Sequence, residues 1–122
     1  MKTPDLVGCE VTRTAFDYQT RLLLVRVVDG RDEVSAELAV AVPFTLLGAD
    51  GVRREIDPEE LSTLPPVLAL LRRTVVAADL LDYRLTLTFD DGAELWVGPD
   101  EQYTSWWMSG DGIEDIHVDP VG

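Results

Sequence analysis

The segment Tyr83-Arg84-Leu85-Thr86-Leu87-Thr88-Phe89 alternates apolar and polar residues without a fault, and Asp90-Asp91-Gly92 separates it from Ala93-Glu94-Leu95-Trp96-Val97. A period of two marks a strand with one face buried, because successive side chains point to opposite sides of a sheet. The two runs therefore form a hairpin whose register can be deduced. A two-residue Asp91-Gly92 loop sets Phe89 opposite Glu94 and Thr88 opposite Leu95, which mixes the faces. A three-residue loop pairs Phe89 with Ala93, Leu87 with Leu95 and Leu85 with Val97, which separates them. The spacing thus predicts a type I turn with Gly92 left-handed in a G1 bulge. Trp96 then falls on the polar face with Glu94, opposite Thr86, and needs a covering element or a partner.

Short apolar runs punctuated by turn residues continue along the rest of the chain, with no linker, repeat or low-complexity tract. Strands are predicted over Val7 to Thr14 and Arg21 to Val28, on either side of Phe16-Asp17-Tyr18-Gln19. The run Leu22-Leu23-Leu24-Val25 with Val27-Val28 is apolar on both faces and predicts a central strand. Asp29-Gly30-Arg31-Asp32 turns the chain into a long third strand, Val34 to Leu46, with Pro43 expected at an edge or bulge. Ala49-Asp50-Gly51 turns it again into Val52 to Ile56. Asp57-Pro58-Glu59-Glu60 reads as a helix start, and Pro65-Pro66 interrupts that helix, giving helical segments at 58–62 and 66–72. Leu64, Val67, Leu68 and Leu71 are its expected buried face, with Arg72 and Arg73 at the negative end of the dipole. The predicted fold class is α+β: a curved, mostly antiparallel sheet or small open barrel of about six to eight strands, with one interrupted helix. The 122 residues are expected to form one domain, 1–122. Such a chain buries roughly 65% of its unfolded surface, enough for a core without disulfides.

Charge narrows the function classes. Twenty-three acids against ten bases leave a formal charge of −13, which repels phosphate backbones and anionic lipid surfaces. Neither nucleic acid nor membrane is an expected partner. Arg84 is the last basic residue, and beyond it come Asp90, Asp91, Glu94, Asp100, Glu101, Asp111, Glu114, Asp115 and Asp119. That acidic C-terminal third suits a basic protein, although acidity also serves solubility. Cys9 is the only cysteine, which excludes an intrachain disulfide, a thiolate zinc cage and a CxxC pair; an inert core thiol is the expectation. No signal-like start and no apolar run near about eighteen residues is present, so a cytoplasmic location is expected. One lysine, no asparagine and three isoleucines beside nine arginines point to a GC-rich bacterial genome.

Pro99-Asp100-Glu101-Gln102-Tyr103-Thr104-Ser105-Trp106-Trp107-Met108 gathers aromatics and acids. Trp and Tyr dominate interface hot spots, because each buries a large area with few rotatable bonds. Tyr103, Trp106, Trp107 and Trp96 are therefore the expected partner-binding anchors, with Asp100 and Glu101 as steering charges. Adjacent tryptophans point different ways, so one of Trp106 and Trp107 can seal the core while the other meets solvent. His117 lies between Asp115 and Asp119 on a predicted last strand, but Ser105 and Ser109 sit in no nucleophile elbow, and no catalytic residue is assigned. The same row is not read as a metal site, and Ser109-Gly110-Asp111-Gly112-Ile113-Glu114-Asp115 lacks the EF-hand ligand spacing. No glycine pattern fits a nucleotide fingerprint, and no cofactor is expected.

Leu85 to Gly92, then Leu95, Val97, Pro99, Asp100, Tyr103, Trp106 and the Gly110-Asp111-Gly112 turn resemble a family of small uncharacterised bacterial proteins. Its members combine an early Leu-Val-Gly strand, here Leu6-Val7-Gly8, with an Asp-Pro-Glu helix start, here Asp57-Pro58-Glu59. They end in Tyr-x-x-Trp, here Tyr103-Thr104-Ser105-Trp106. The resemblance spans almost the whole chain and brings no established activity. In size and charge the chain is also similar to immunity proteins that neutralise secreted toxins, a likeness of character alone. The functional expectation is a non-enzymatic protein-binding domain, of immunity or antitoxin type, that engages a basic partner. The alternative is a small-ligand module whose curved sheet and aromatic segment enclose a pocket. A homodimer through an edge strand or the Trp96 face fits either.

Overall fold

The computed structural model describes Lys2–Val121. Among these residues ten strands form two antiparallel five-stranded sheets. They are β1 (Glu10–Phe16), β2 (Thr20–Val28), β3 (Arg31–Val40), β4 (Phe44–Leu47), β5 (Arg53–Ile56), β6 (Val75–Leu81), β7 (Arg84–Phe89), β8 (Glu94–Val97), β9 (Trp106–Asp111) and β10 (Ile116–Val118). The first sheet runs β1-β2-β3-β9-β10 and the second β5-β4-β8-β7-β6. Mostly antiparallel β-structure is as expected, but the six to eight strands become ten, and one curved sheet becomes two. Pro43 is one reason. Without an amide hydrogen it cannot extend the ladder, so the predicted strand Val34 to Leu46 breaks there, leaving β3 in the first sheet and β4 in the second. Strands β6 and β9 are the other additions: no strand is expected from the sequence over Val75–Leu81 or Trp106–Asp111, whereas β10, with His117, is the expected last strand.

Alternation then assigns the faces. Leu22, Leu24, Ala36, Leu38, Trp106, Met108, Ile116 and Val118 of the first sheet share one core with Phe44, Leu46, Leu85, Leu87, Leu95 and Val97 of the second. The two sheets are stitched along one side. Gly8 N–H donates to Val75 O and Val75 N–H to Cys9 O, each at 2.8 Å, while Val11 N–H donates to Arg73 O and Arg72 N–H to Val11 O. This covers the β1 edge, which would otherwise offer unpaired backbone groups. Among the described residues β5 and β10 lack a partner on their outer sides, so no barrel closes. The first strand starts at Glu10 rather than Val7 because the preceding residues supply part of this seam, with Leu6 and Cys9 buried. Strand β2 is central but not buried on both faces: Leu22 and Leu24 are enclosed, Leu23 and Val25 half-covered, and Val27 and Val28 exposed.

The β7–β8 hairpin has the deduced register, with Leu85 opposite Val97, Thr86 opposite Trp96 and Leu87 opposite Leu95. Phe89 N–H donates to Ala93 O at 2.8 Å, Gly92 N–H donates to Phe89 O at 2.9 Å, and Gly92 has φ 88°. Tyr83, read as the first strand residue, instead forms a two-residue turn with Asp82; both have positive φ, 64° and 51°. That geometry suits the twist of the flanking strands β6 and β7.

The helix is shorter and tighter than expected. Two 3-10 segments, Leu61–Thr63 and Pro65–Leu70, replace helices at 58–62 and 66–72. Residues 58 and 59 form a turn instead, in which the Asp57 carboxylate accepts the Glu59 N–H at 3.0 Å. A 3-10 helix repeats every three residues, so Leu64, Val67 and Leu70 face the core and Leu68 swings out. Leu70 is 1% exposed and Leu68 51%. Leu70→Ala is expected to cost about 2–5 kcal/mol in urea unfolding, and Leu68→Ala no more than about 0.5 kcal/mol. An α-helical spacing would make Leu68 costly as well.

Candidate functional site

In the outer face of the first sheet, one cross-strand row runs through Ala15, Arg21, Ala39, Trp107 and His117, spanning β1, β2, β3, β9 and β10. Trp107 is half-buried. The Arg21 guanidinium lies 5.9 Å from its ring centroid, and His117 packs on its other side with centroids 6.2 Å apart. Ala39, between Arg21 and Trp107, is fully covered although it points away from the core. His117 Nδ1 is 3.0 Å from Asp119 Oδ1.

Arg21 is saturated by its own chain. Its Nη1 is 2.6 Å from Glu37 Oε1 and its Nε 3.1 Å from Asp17 Oδ1, and Nη2 donates to Gln19 Oε1. The hydrogen bond it donates to Glu37, then that to Asp17, raises the guanidinium above its ordinary range, against some desolvation. The arginine of the row is thereby spent, and Trp107 stands in an acidic surround of Asp17, Glu37 and Asp119.

The segment between β8 and β9 carries the chain from the second sheet to the first. It is tied beside this row: Val121 N–H donates to Asp100 O at 3.0 Å and Ser105 N–H to Val118 O at 3.1 Å. Asp100 Oδ2 accepts the N–H groups of Gln102 and Tyr103 at 2.8 and 3.0 Å. Asp100 thus shapes the loop, while Glu101 and Tyr103 are exposed. Tyr18, in the β1–β2 turn beside Asp17 and Gln19, is 83% exposed. Sequence reasoning missed Arg21, because only the β2–β3–β9 pairing brings it to this side of the sheet.

The expected anchors do not form one surface. Trp106 is fully buried, and its Nε1–H donates to Tyr83 O at 3.0 Å. It is a core residue with no surface to offer a partner. Trp96 lies on the outer face of the other sheet, where Nε1–H donates to Glu94 Oε1 at 3.0 Å and Arg53 covers the ring at 4.8 Å. Those two side chains cover part of the indole, which stays half-buried. Trp107 is the expected anchor half-open on the outer face of the first sheet, and Tyr103 and Glu101 are exposed in the loop that precedes it.

Ser105 is buried, and Ser109 is exposed opposite Glu37. A hollow of about 450 Å³ is lined by Lys2, Asp5, Glu114, Asp115 and His117 among others. No group of three or more metal-ligating side chains is brought together among the described residues. Cys9 is enclosed, and burial pushes its thiol up, partly opposed by Arg26, so the reactive thiolate is disfavoured. No helix among the described residues is long and apolar enough to cross a membrane.

A profile of a family of unknown function, DUF6188, matches residues 2–122. The chain belongs to that family. Membership accords with the resemblance read from the sequence and attaches no activity to the chain. No curated protein and no solved structure matches it.

The two adjacent indoles are expected to separate sharply on truncation. Trp106→Ala should cost about 3–5 kcal/mol in denaturant unfolding, whereas Trp107→Ala should cost under about 1.5 kcal/mol. Equal costs would contradict the assignment of one to the core and one to the surface.

Proposed function

We propose that this DUF6188 protein is a non-enzymatic recognition domain that docks a basic protein on the outer face of its first sheet. The observation that supports it is the Trp107 row: a half-open indole whose neighbouring arginine is already neutralised by two carboxylates. A partner's arginine or lysine would meet an aromatic ring and a surround in which carboxylates outnumber the one arginine they hold, through cation–π contact and steering charge. Tyr103 extends the aromatic surface, and Glu101 and Asp100 add charge at its border. On this reading the domain works in the cytoplasm of a bacterium. Its most concrete form is an immunity or antitoxin protein, supported by size and acidity.

The test compares the intact protein with Trp107→Ala in host lysate, at low salt and near 1 M salt, where the screening length falls from about 10 Å to about 3 Å. A basic protein is expected to be retained at low salt and released at high salt, with Trp107→Ala weakening it by about 2 kcal/mol or more. Trp96→Ala, on the other sheet, should leave retention unchanged. Retention indifferent to salt and to Trp107 would contradict the proposal.

A further inference from the structure

The outer face of the second sheet carries a separate feature. Thr45 and Thr86 flank Trp96 directly, one on each neighbouring strand. Continuing the same registers by one step on this face gives a row of Pro43, Gly98 and Arg84. Gly98 has no side chain, so the row dips at its centre, with Trp96 rising beside it on the same strand. The dip belongs to a groove of about 330 Å³. The Arg84 side chain reaches over it: a Cβ built on Gly98 would lie 2.9 Å from Arg84 Nη1.

Charge decides what the groove accepts. Arg84 is its sole charged lining residue and, among the described residues, makes no ion pair. Glu94, the nearest carboxylate along β8, is engaged by the Trp96 Nε1–H. Glu55 and Asp79 stand one strand farther out, opposite Thr45 and Thr86. The groove therefore combines an indole wall, two hydroxyls that donate or accept, and one guanidinium suited to a two-point bond with a carboxylate. Its volume is at the small end of ligand sites, room for about one ring and not for a peptide.

We propose that this groove binds a small carboxylate carrying a flat ring, its ring against Trp96 and its carboxylate on Arg84. The site is independent of the Trp107 face, so either can fail without the other.

The test is an NMR titration of the full chain with benzoate, with benzamide as the neutral control of equal shape. Benzoate is expected to give saturable shifts at low-millimolar concentration, confined to the Trp96 indole N–H and the amides of Thr45, Thr86 and Gly98. Arg84→Gln should weaken binding about tenfold or more, the worth of one charged hydrogen bond. Gly98→Ala should do the same by filling the dip. It meets only the flexible Arg84 side chain, closest at Nη1, and an unchanged Trp106 indole signal would confirm its fold. Trp107→Ala should bind as the unaltered protein does. No saturable shift, equal binding of benzamide, or shifts spread over arginines elsewhere would each overturn the proposal.

Discussion

Enclosure of the Trp106 indole between the two sheets, with its Nε1–H on the Tyr83 carbonyl, fixes the facing of β9. Side chains on a strand alternate, so once Trp106 is inside, Trp107 must be outside and Met108 inside. The β3–β9 and β9–β10 registers carry that choice across the sheet, bringing Ala39 and His117 level with Trp107. Shifting the strand by one residue would expose the largest buried side chain and bury Trp107 in its place. The functional face thus follows from a packing decision made on the opposite side of the strand.

The arginines follow a second logic, in which position matters more than number. Arg21 and Arg26 are each held by two carboxylates, and Arg54 by Asp50. On the first sheet this leaves the indole of Trp107 among acids. On the second sheet Arg53 rests on Trp96 and Arg84 extends over Gly98, giving that face a local cationic point in a strongly acidic protein. The two faces therefore suit partners of opposite charge: a basic protein surface on one, a small carboxylate on the other.

Legibility in the sequence tracked the locality of the cause. The β7–β8 hairpin was readable to the residue, because period-two alternation and a three-residue acidic-glycine loop leave one register that separates the faces. The helix was readable in place but not in pitch; Leu68 looked buried under a 3.6-residue repeat and is exposed under a three-residue one. Pro43 was marked as an irregularity, yet nothing local says that the chain changes sheets there. That one of Trp106 and Trp107 seals the core was readable, but which one depends on the distant pairings of β9 with β3 and β10. Arg21 joined Trp107 by the same long-range pairings, which no local pattern encodes.

Hydrogen exchange at the three indole N–H groups, followed by NMR under native conditions, tests the central claim most directly. The Trp106 proton should exchange only through global unfolding, because its ring is sealed and bonded to the Tyr83 carbonyl. The Trp107 proton should exchange rapidly from the folded state, with Trp96 slowed relative to it by its bond to Glu94. A protected Trp107, or a Trp106 that exchanges without unfolding, would reverse the facing of β9 and remove the proposed docking face with it.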